Sequence, residues 1–189
     1  MNAPTTAEPT DAMVDLETLG TEPFCPILSI GACAFDFGPD SLHPPTDHFY
    51  QAITLESCLS VGLRINADTL NWWLGQEPRA QAVFRDPQAV ALPLALDAFT
   101  DWWNSRPMRI WGNSARFDMG ILAAAYKACG KEIPWLWRKE RCHRTICNLA
   151  GISSLPVDRF GVYHNARDDA ITQALHLRRV CAALRITPQ

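Results

Sequence analysis

Residues 12–20, Ala12-Met13-Val14-Asp15-Leu16-Glu17-Thr18-Leu19-Gly20, decide how this chain is read. Ala12 to Leu16 has the character of a short apolar strand, interrupted by one acid. Side chains alternate across a strand, so Asp15 and Glu17 project from one face and Leu16 from the other. Two carboxylates this close repel, and each holds its proton more tightly unless a cation neutralises the pair. A divalent metal ion would do so. Acidic pairs at this spacing also occur at strand ends that bind nothing, so the surrounding chain has to discriminate.

Outward from this strand, a turn-rich stretch with Gly20, Pro23 and Pro26 leads to a longer apolar run, Ile27 to Phe35. A third strand is expected over Asp47 to Ile53, after the Pro44-Pro45 break. The period then changes. Asn66 to Gln76 carries Leu70, Trp73 and Leu74 at helical spacing, and Leu92 to Asn104 repeats the pattern with Leu96, Phe99 and Trp103. These aromatics read first as core. Met108 to Trp111 is a late strand closed by Gly112-Asn113, and a helix follows from about Ala115 to Cys129, ending at Gly130. Trp135 to Arg144 is an aromatic and basic connection. Helices near Arg144 to Ala150 and from about His164 to Leu184 complete the chain. Strands first, then helices alternating with a late strand, predict one α/β domain with a central sheet covered by helices.

The chain has 189 residues, with 17 Lys+Arg against 20 Asp+Glu, a formal charge of −3 and 48% apolar residues. That is ordinary globular composition, long enough for one core without disulfide staples. The charge is unevenly spread: residues 1–63 hold nine acids and no base, whereas residues 64–189 hold 17 bases and 11 acids. Residues 1–12 are small and polar with two prolines, and they lack the basic start and apolar run of a signal peptide. They are expected to form a disordered tail before a single domain over 13–189. No stretch approaches the roughly 18 apolar residues of a membrane helix, so a cytoplasmic protein without membrane contact is expected. The seven cysteines form an odd set with no disulfide framework. Cys142, His143 and Cys147 hint at zinc, yet no second Cys/His pair in the sequence is placed to complete a tetrahedron.

Two further acidic elements bear on the first strand. Asp118 lies just inside the helix that follows the late strand; it reads equally as a first-turn acid favoured by the helix dipole. His164-Asn165-Ala166-Arg167-Asp168-Asp169 opens the last helix and could be simple capping. Taken together and in order, the three elements resemble the DEDDh 3′-5′ exonucleases, which have a ribonuclease H-like fold. Val14 to Gly20, Ser29-Ile30-Gly31-Ala32, Trp72-Trp73, Trp111-Gly112-Asn113 with Phe117-Asp118, Arg144-Thr145 and His164-Asn165-Ala166 look like the phage exonuclease A group and its mycobacterial ribonuclease AS-like relatives. The resemblance spans about residues 13–184.

What the resemblance implies follows residue by residue. Asp15, Glu17, Asp118 and Asp169 match the four metal-ligand positions, and His164 matches the general base. Asp169, not Asp168, fits the family spacing. Thr18 and Leu19 match positions that contact the terminal nucleotide, through backbone and through a wedge against its base. Cys142 departs from the family pattern, in which an acid is frequent there. Two divalent cations, Mg²⁺ or Mn²⁺, would be the cofactors, since hard ions take oxygen ligands. The partner would be the 3′ end of single-stranded DNA or RNA, and related enzymes often form homodimers. Arg116, Arg138, Lys139, Arg141, Arg144 and Arg167 are candidate phosphate contacts, and Trp72, Trp73, Trp135 or Trp137 candidate stacking platforms. Two other classes stay open: a non-catalytic nucleic-acid-binding or proofreading-type subunit on the same fold, and a zinc-stabilised interaction module built on Cys142, His143 and Cys147. No Gly-x-x-x-x-Gly-Lys-Ser/Thr, His-Glu-x-x-His or Gly-x-Ser-x-Gly motif is present.

Overall fold

The computed structural model describes residues 9–38, 43–104, 106, 108–156 and 158–188. Five strands form one sheet: β1 (Asp11–Thr18), β2 (Ile27–Phe35), β3 (His48–Ala52), β4 (Arg109–Gly112) and β5 (Glu140–Cys142). Their spatial order is β3-β2-β1-β4-β5, with β1/β2 and β2/β3 antiparallel and β1/β4 and β4/β5 parallel. The helices are α1 (Leu55–Ser60), α2 (Ala67–Leu74), α3 (Pro78–Gln81), α4 (Leu92–Trp103), α5 (Ala115–Ala128), α6 (His143–Ala150) and α7 (Ala166–Leu184). This is the expected mixed sheet flanked by helices. Among the described residues no helix is long and apolar enough to cross a membrane.

β1 is the central strand and is buried on both faces, so its polar residues Asp11, Asp15, Glu17 and Thr18 are held largely away from solvent among Ala12, Met13, Val14 and Leu16. Its alternation sorts the two layers. Ala12, Val14 and Leu16 join Ile30, Ala32, Leu96, Phe99, Trp103, Leu122 and Tyr126 in a core beneath α4 and α5. Met13 belongs to the opposite core, with Cys33, Phe35, Trp111, Ala170, Ile171, Ala174 and Leu177 under α7. Asp15 and Glu17 share the parity of Met13 and therefore face the α7 layer.

At the start of β1, Asp11 is fully buried and accepts from Arg109 Nε at 2.7 Å, Arg109 Nη2 at 2.5 Å and Trp111 Nε1 at 2.7 Å. This pairing ties the first residue of β1 to its parallel neighbour. The strand thus takes in Asp11 and Ala12, two residues from the stretch read as tail, and runs two residues beyond Leu16. Residues 1–8 of that expected tail lie outside the described residues. Four other elements differ from expectation. β5 is too short to show a period within the aromatic and basic connection. α1 and α3 are single short turns of helix that the pattern did not reveal. The last helix begins at Ala166 with Asn165 as its cap, whose side chain accepts from the Asp168 N–H. His164 therefore precedes the helix instead of opening it.

Candidate active site

The acids converge at the C-terminal end of β1. Across the sheet Asp15 pairs with Gly31 of β2, and a Cβ on Gly31 would fall 2.0 Å from the Ala166 carbonyl carbon. Only glycine lets the start of α7 approach the sheet this closely. That approach carries Asp169 and Gln173, one helical turn apart, over Asp15. Gln173 Nε2 donates to Asp15 Oδ1 at 2.6 Å.

Asp118 arrives from the other side. It lies in the first turn of α5, 2% exposed, and its Oδ2 accepts from the Asn113 N–H at 2.8 Å. A Cβ on Gly112 would meet that oxygen at 2.6 Å, so glycine ends β4 for a second steric reason. Glu17, His164 and Asp169 offer ligand atoms that all lie within 4.8 Å of one another. Burial raises the Asp15 carboxyl well above its ordinary value, and the charges of Glu17, Asp118 and Asp169 raise it further. Glu17 is raised by burial and by Asp169 and Asp118. Burial lifts Asp118 to about 7, against hydrogen bonds from the backbone that lower it. Asp169 is raised by burial although Arg159 opposes the shift.

Four desolvated carboxylates, of which Asp15 and Glu17 are raised further by neighbouring acids, have one guanidinium in direct contact among the described residues: Arg159, whose Nη2 lies 2.5 Å from Asp169 Oδ1. The deficit of positive charge and the all-oxygen donor set fit hard divalent ions.

His164 sits beside this cluster with a left-handed backbone (φ 61°) that histidine tolerates better than most residues. Its N–H donates to Asp169 Oδ2 at 3.1 Å. Its ring stacks on Tyr163 at 3.7 Å between centroids and meets Trp72 edge-on at 5.0 Å. Burial, and then the Arg159 charge, pull its pKa below the ordinary 6.5, which favours the neutral ring.

Asp15, Glu17, Thr18, Trp72, Trp73, Arg159, Tyr163, His164, Asp169 and Gln173 line one cleft of about 490 Å³, together with a wall from Ser154, Leu155 and Pro156. Thr18 is in this lining; its hydroxyl donates to the Gly20 carbonyl at 2.7 Å and its own carbonyl accepts from Trp73 Nε1 at 2.8 Å. Leu19 is not. Its side chain is fully buried with Leu28, Trp73, Ala80 and Val83, so it presents no wedge to the cleft.

The tryptophan pair splits: Trp73 is core, as read, whereas Trp72 is 46% exposed on the cleft wall. Trp135 is core and Trp137 is exposed away from the cleft lining. Asp168 is buried but holds the loop before α7, accepting from the Val162 N–H at 2.8 Å and pairing with Arg167. Of the six basic candidates, Arg116 and Arg144 border an adjoining groove that shares Asn113 and Phe117 with the main cleft. Arg159, Tyr163 and Gln173 were not singled out in sequence. Gln173 had a signal, four residues after Asp169 on the same helical face, whereas Arg159 and Tyr163 sit in an irregular loop with no period to mark them.

The chain matches the 3′-5′ exoribonuclease Rv2179c-like domain over residues 10–181. It belongs to that family and is a 3′-5′ exonuclease. No curated protein matches the chain in sequence. Among solved structures, it is similar to the nuclease domain of 3′hExo, a DEDDh family member bound to rAMP, with a TM-score of 0.58 at 12% identity over 97% of this chain and 98% of that one. It is also similar to the RNase domain of yeast Pop2, with a TM-score of 0.52 at 10% identity over 96% and 81% of the two chains. The Mg²⁺- and Mn²⁺-bound form of S. pombe Pop2p gives 0.50 at 12% identity over 94% and 83%. These likenesses establish the ribonuclease H-like fold.

Proposed function

We propose that this exonuclease removes nucleotides from the 3′ end of single strands, RNA above DNA, with two divalent ions held by Asp15, Glu17, Asp118 and Asp169 and with His164 as general base. The observation that carries the reading is the convergence of four buried carboxylates, all raised above their ordinary values, beside a neutral, cleft-lining histidine. The family description favours RNA, and the metal reading is supported by a neighbour of the same fold described with Mg²⁺ and Mn²⁺ bound. Such ions supply a lowered water pKa and neutralise charge on the leaving oxygen.

The chain's own groups supply the rest. The neutral His164 ring accepts a proton from the attacking water and later returns it to solvent. Gln173 holds the Asp15 carboxylate in one orientation through its amide. Arg159 directs guanidinium donors into the cleft beside Asp169, where they suit the non-bridging oxygens of the scissile phosphate. Trp72, half exposed on the wall, offers a face for the terminal base in place of Leu19. Arg116 and Arg144 extend the path for the strand beyond the site.

Matched RNA and DNA strands labelled at the 5′ end test this reading. Stepwise shortening from the 3′ end that requires Mn²⁺ or Mg²⁺ and runs faster on RNA is expected. Shortening from the 5′ end, or equal rates with the ions chelated, would overturn it.

A further inference from the structure

A second group of metal-binding side chains lies away from the cleft, in the seam between α6 and α7. His143 opens α6 and Cys147 follows one turn later on the same face; His176 reaches them from α7. His143 Nε2 and His176 Nδ1 are 2.9 Å apart, and Cys147 Sγ is 3.2 Å from the first nitrogen and 3.9 Å from the second. His143 and Cys147 are fully buried and His176 is partly exposed. The other ring nitrogen of His143, Nδ1, has no hydrogen-bond partner among the described residues, so that ring's polar contacts all run through the Nε2 edge.

We propose that His143, Cys147 and His176 form a zinc site that clamps α6 to α7. With Zn–N near 2.0–2.1 Å and Zn–S near 2.3 Å, a tetrahedral ion spaces two nitrogens by about 3.3 Å and a nitrogen and a sulfur by about 3.6 Å. Each separation in the seam lies within about 0.5 Å of these edges. The donors select the metal as well: two imidazoles and a thiol suit zinc, whereas Mg²⁺ and Mn²⁺ prefer oxygen, and no carboxylate joins this group. A coordinating zinc would take Cys147 as its thiolate, displacing the thiol proton. With three protein ligands in reach, a water molecule would complete the four. The sequence offered only Cys142, His143 and Cys147; the third protein ligand comes from a helix that begins 19 residues after Cys147.

The test uses the full-length chain. After gel filtration, elemental analysis should find one zinc per chain, and replacement with Co²⁺ should give the visible absorption of a tetrahedral thiolate complex. Cys147→Ser and His176→Ala, checked for native melting and circular dichroism, should each lower bound zinc at least tenfold and abolish the cobalt spectrum. Asp15→Asn should keep both, which separates this site from the carboxylate cluster. A folded wild type that takes up neither zinc nor tetrahedral cobalt would overturn the proposal without reference to any variant. So would zinc that persists in both ligand variants or is lost in Asp15→Asn.

Discussion

His164 and Asp118 make the residue-scale predictions. His164→Ala removes the proton acceptor and none of the proposed metal ligands. Turnover should fall by about 10²- to 10⁴-fold while Mn²⁺ binding by calorimetry stays at the wild-type level; unchanged turnover would remove the base role. Asp118 gives a pH dependence for the metal-free chain. Its carboxyl rises from an ordinary 3.8 to about 7 on folding because it is buried, so the native state holds a proton that the unfolded chain has released. Stability from this group is therefore present below about 4 and is lost as pH climbs toward about 7. Thermal melting without divalent ions should fall over that window, and Asp118→Asn should make the fall shallower. An identical slope in the variant would mean that the carboxyl titrates normally in the fold. Both residues were legible in sequence as chemical types in order, but their environments were not. The burial that moves their proton affinities comes from β4, α5 and the loop before α7 packing over the end of β1.

At the scale of elements, the meeting of β2 and α7 positions Asp169 and Gln173 above Asp15. Gly31→Ala places a methyl group 2.0 Å from backbone at Ala166, which a side-chain rotation cannot relieve. The start of α7 must lift. A loss of about 1–3 kcal/mol in stability is expected from such overpacking, with exonuclease activity reduced more than stability alone accounts for; denaturant unfolding beside a rate assay separates the two. Near-wild-type activity in the folded variant would show that the close approach does not position the site. The alternation of β1, the long apolar run of β2 and the helical patterns of α4, α5 and α7 were readable, because each buries a face wide enough to impose a pattern on sequence. β5, α1 and α3 were not, since three to six residues are too few to show one. The aromatic pair of α2 was half readable: helical spacing places Trp73 inward, while Trp72 on the adjoining face is cleft wall.

For the whole molecule, the charge of −3 argues mildly against an anionic polymer as partner, yet the four cleft carboxylates contribute −4 that two divalent ions would cancel. With the site filled, the remaining surface is close to neutral, with Arg116 and Arg144 beside the cleft. Binding of a single strand to His164→Ala, followed by fluorescence anisotropy with Mn²⁺ present, should weaken with salt. Adding Arg116→Ala and Arg144→Ala should reduce the logarithmic salt slope by about 0.7 for each phosphate that no longer meets an arginine; an unchanged slope would remove these residues from the strand's path.

Sequence alone determined the class of fold and of enzyme, because strand alternation puts Asp15 and Glu17 on one face and the order of acids and histidine along the chain is specific. Tertiary structure decided what depends on the meeting of distant segments. Leu19 leaves the cleft because the chain beyond β1 turns that side chain into the core. Arg159 joins the site from an irregular loop, and His176 joins His143 and Cys147 from another helix. Neither partnership leaves a mark in local sequence, since the distances that create it are spatial and the spacings along the chain carry no period.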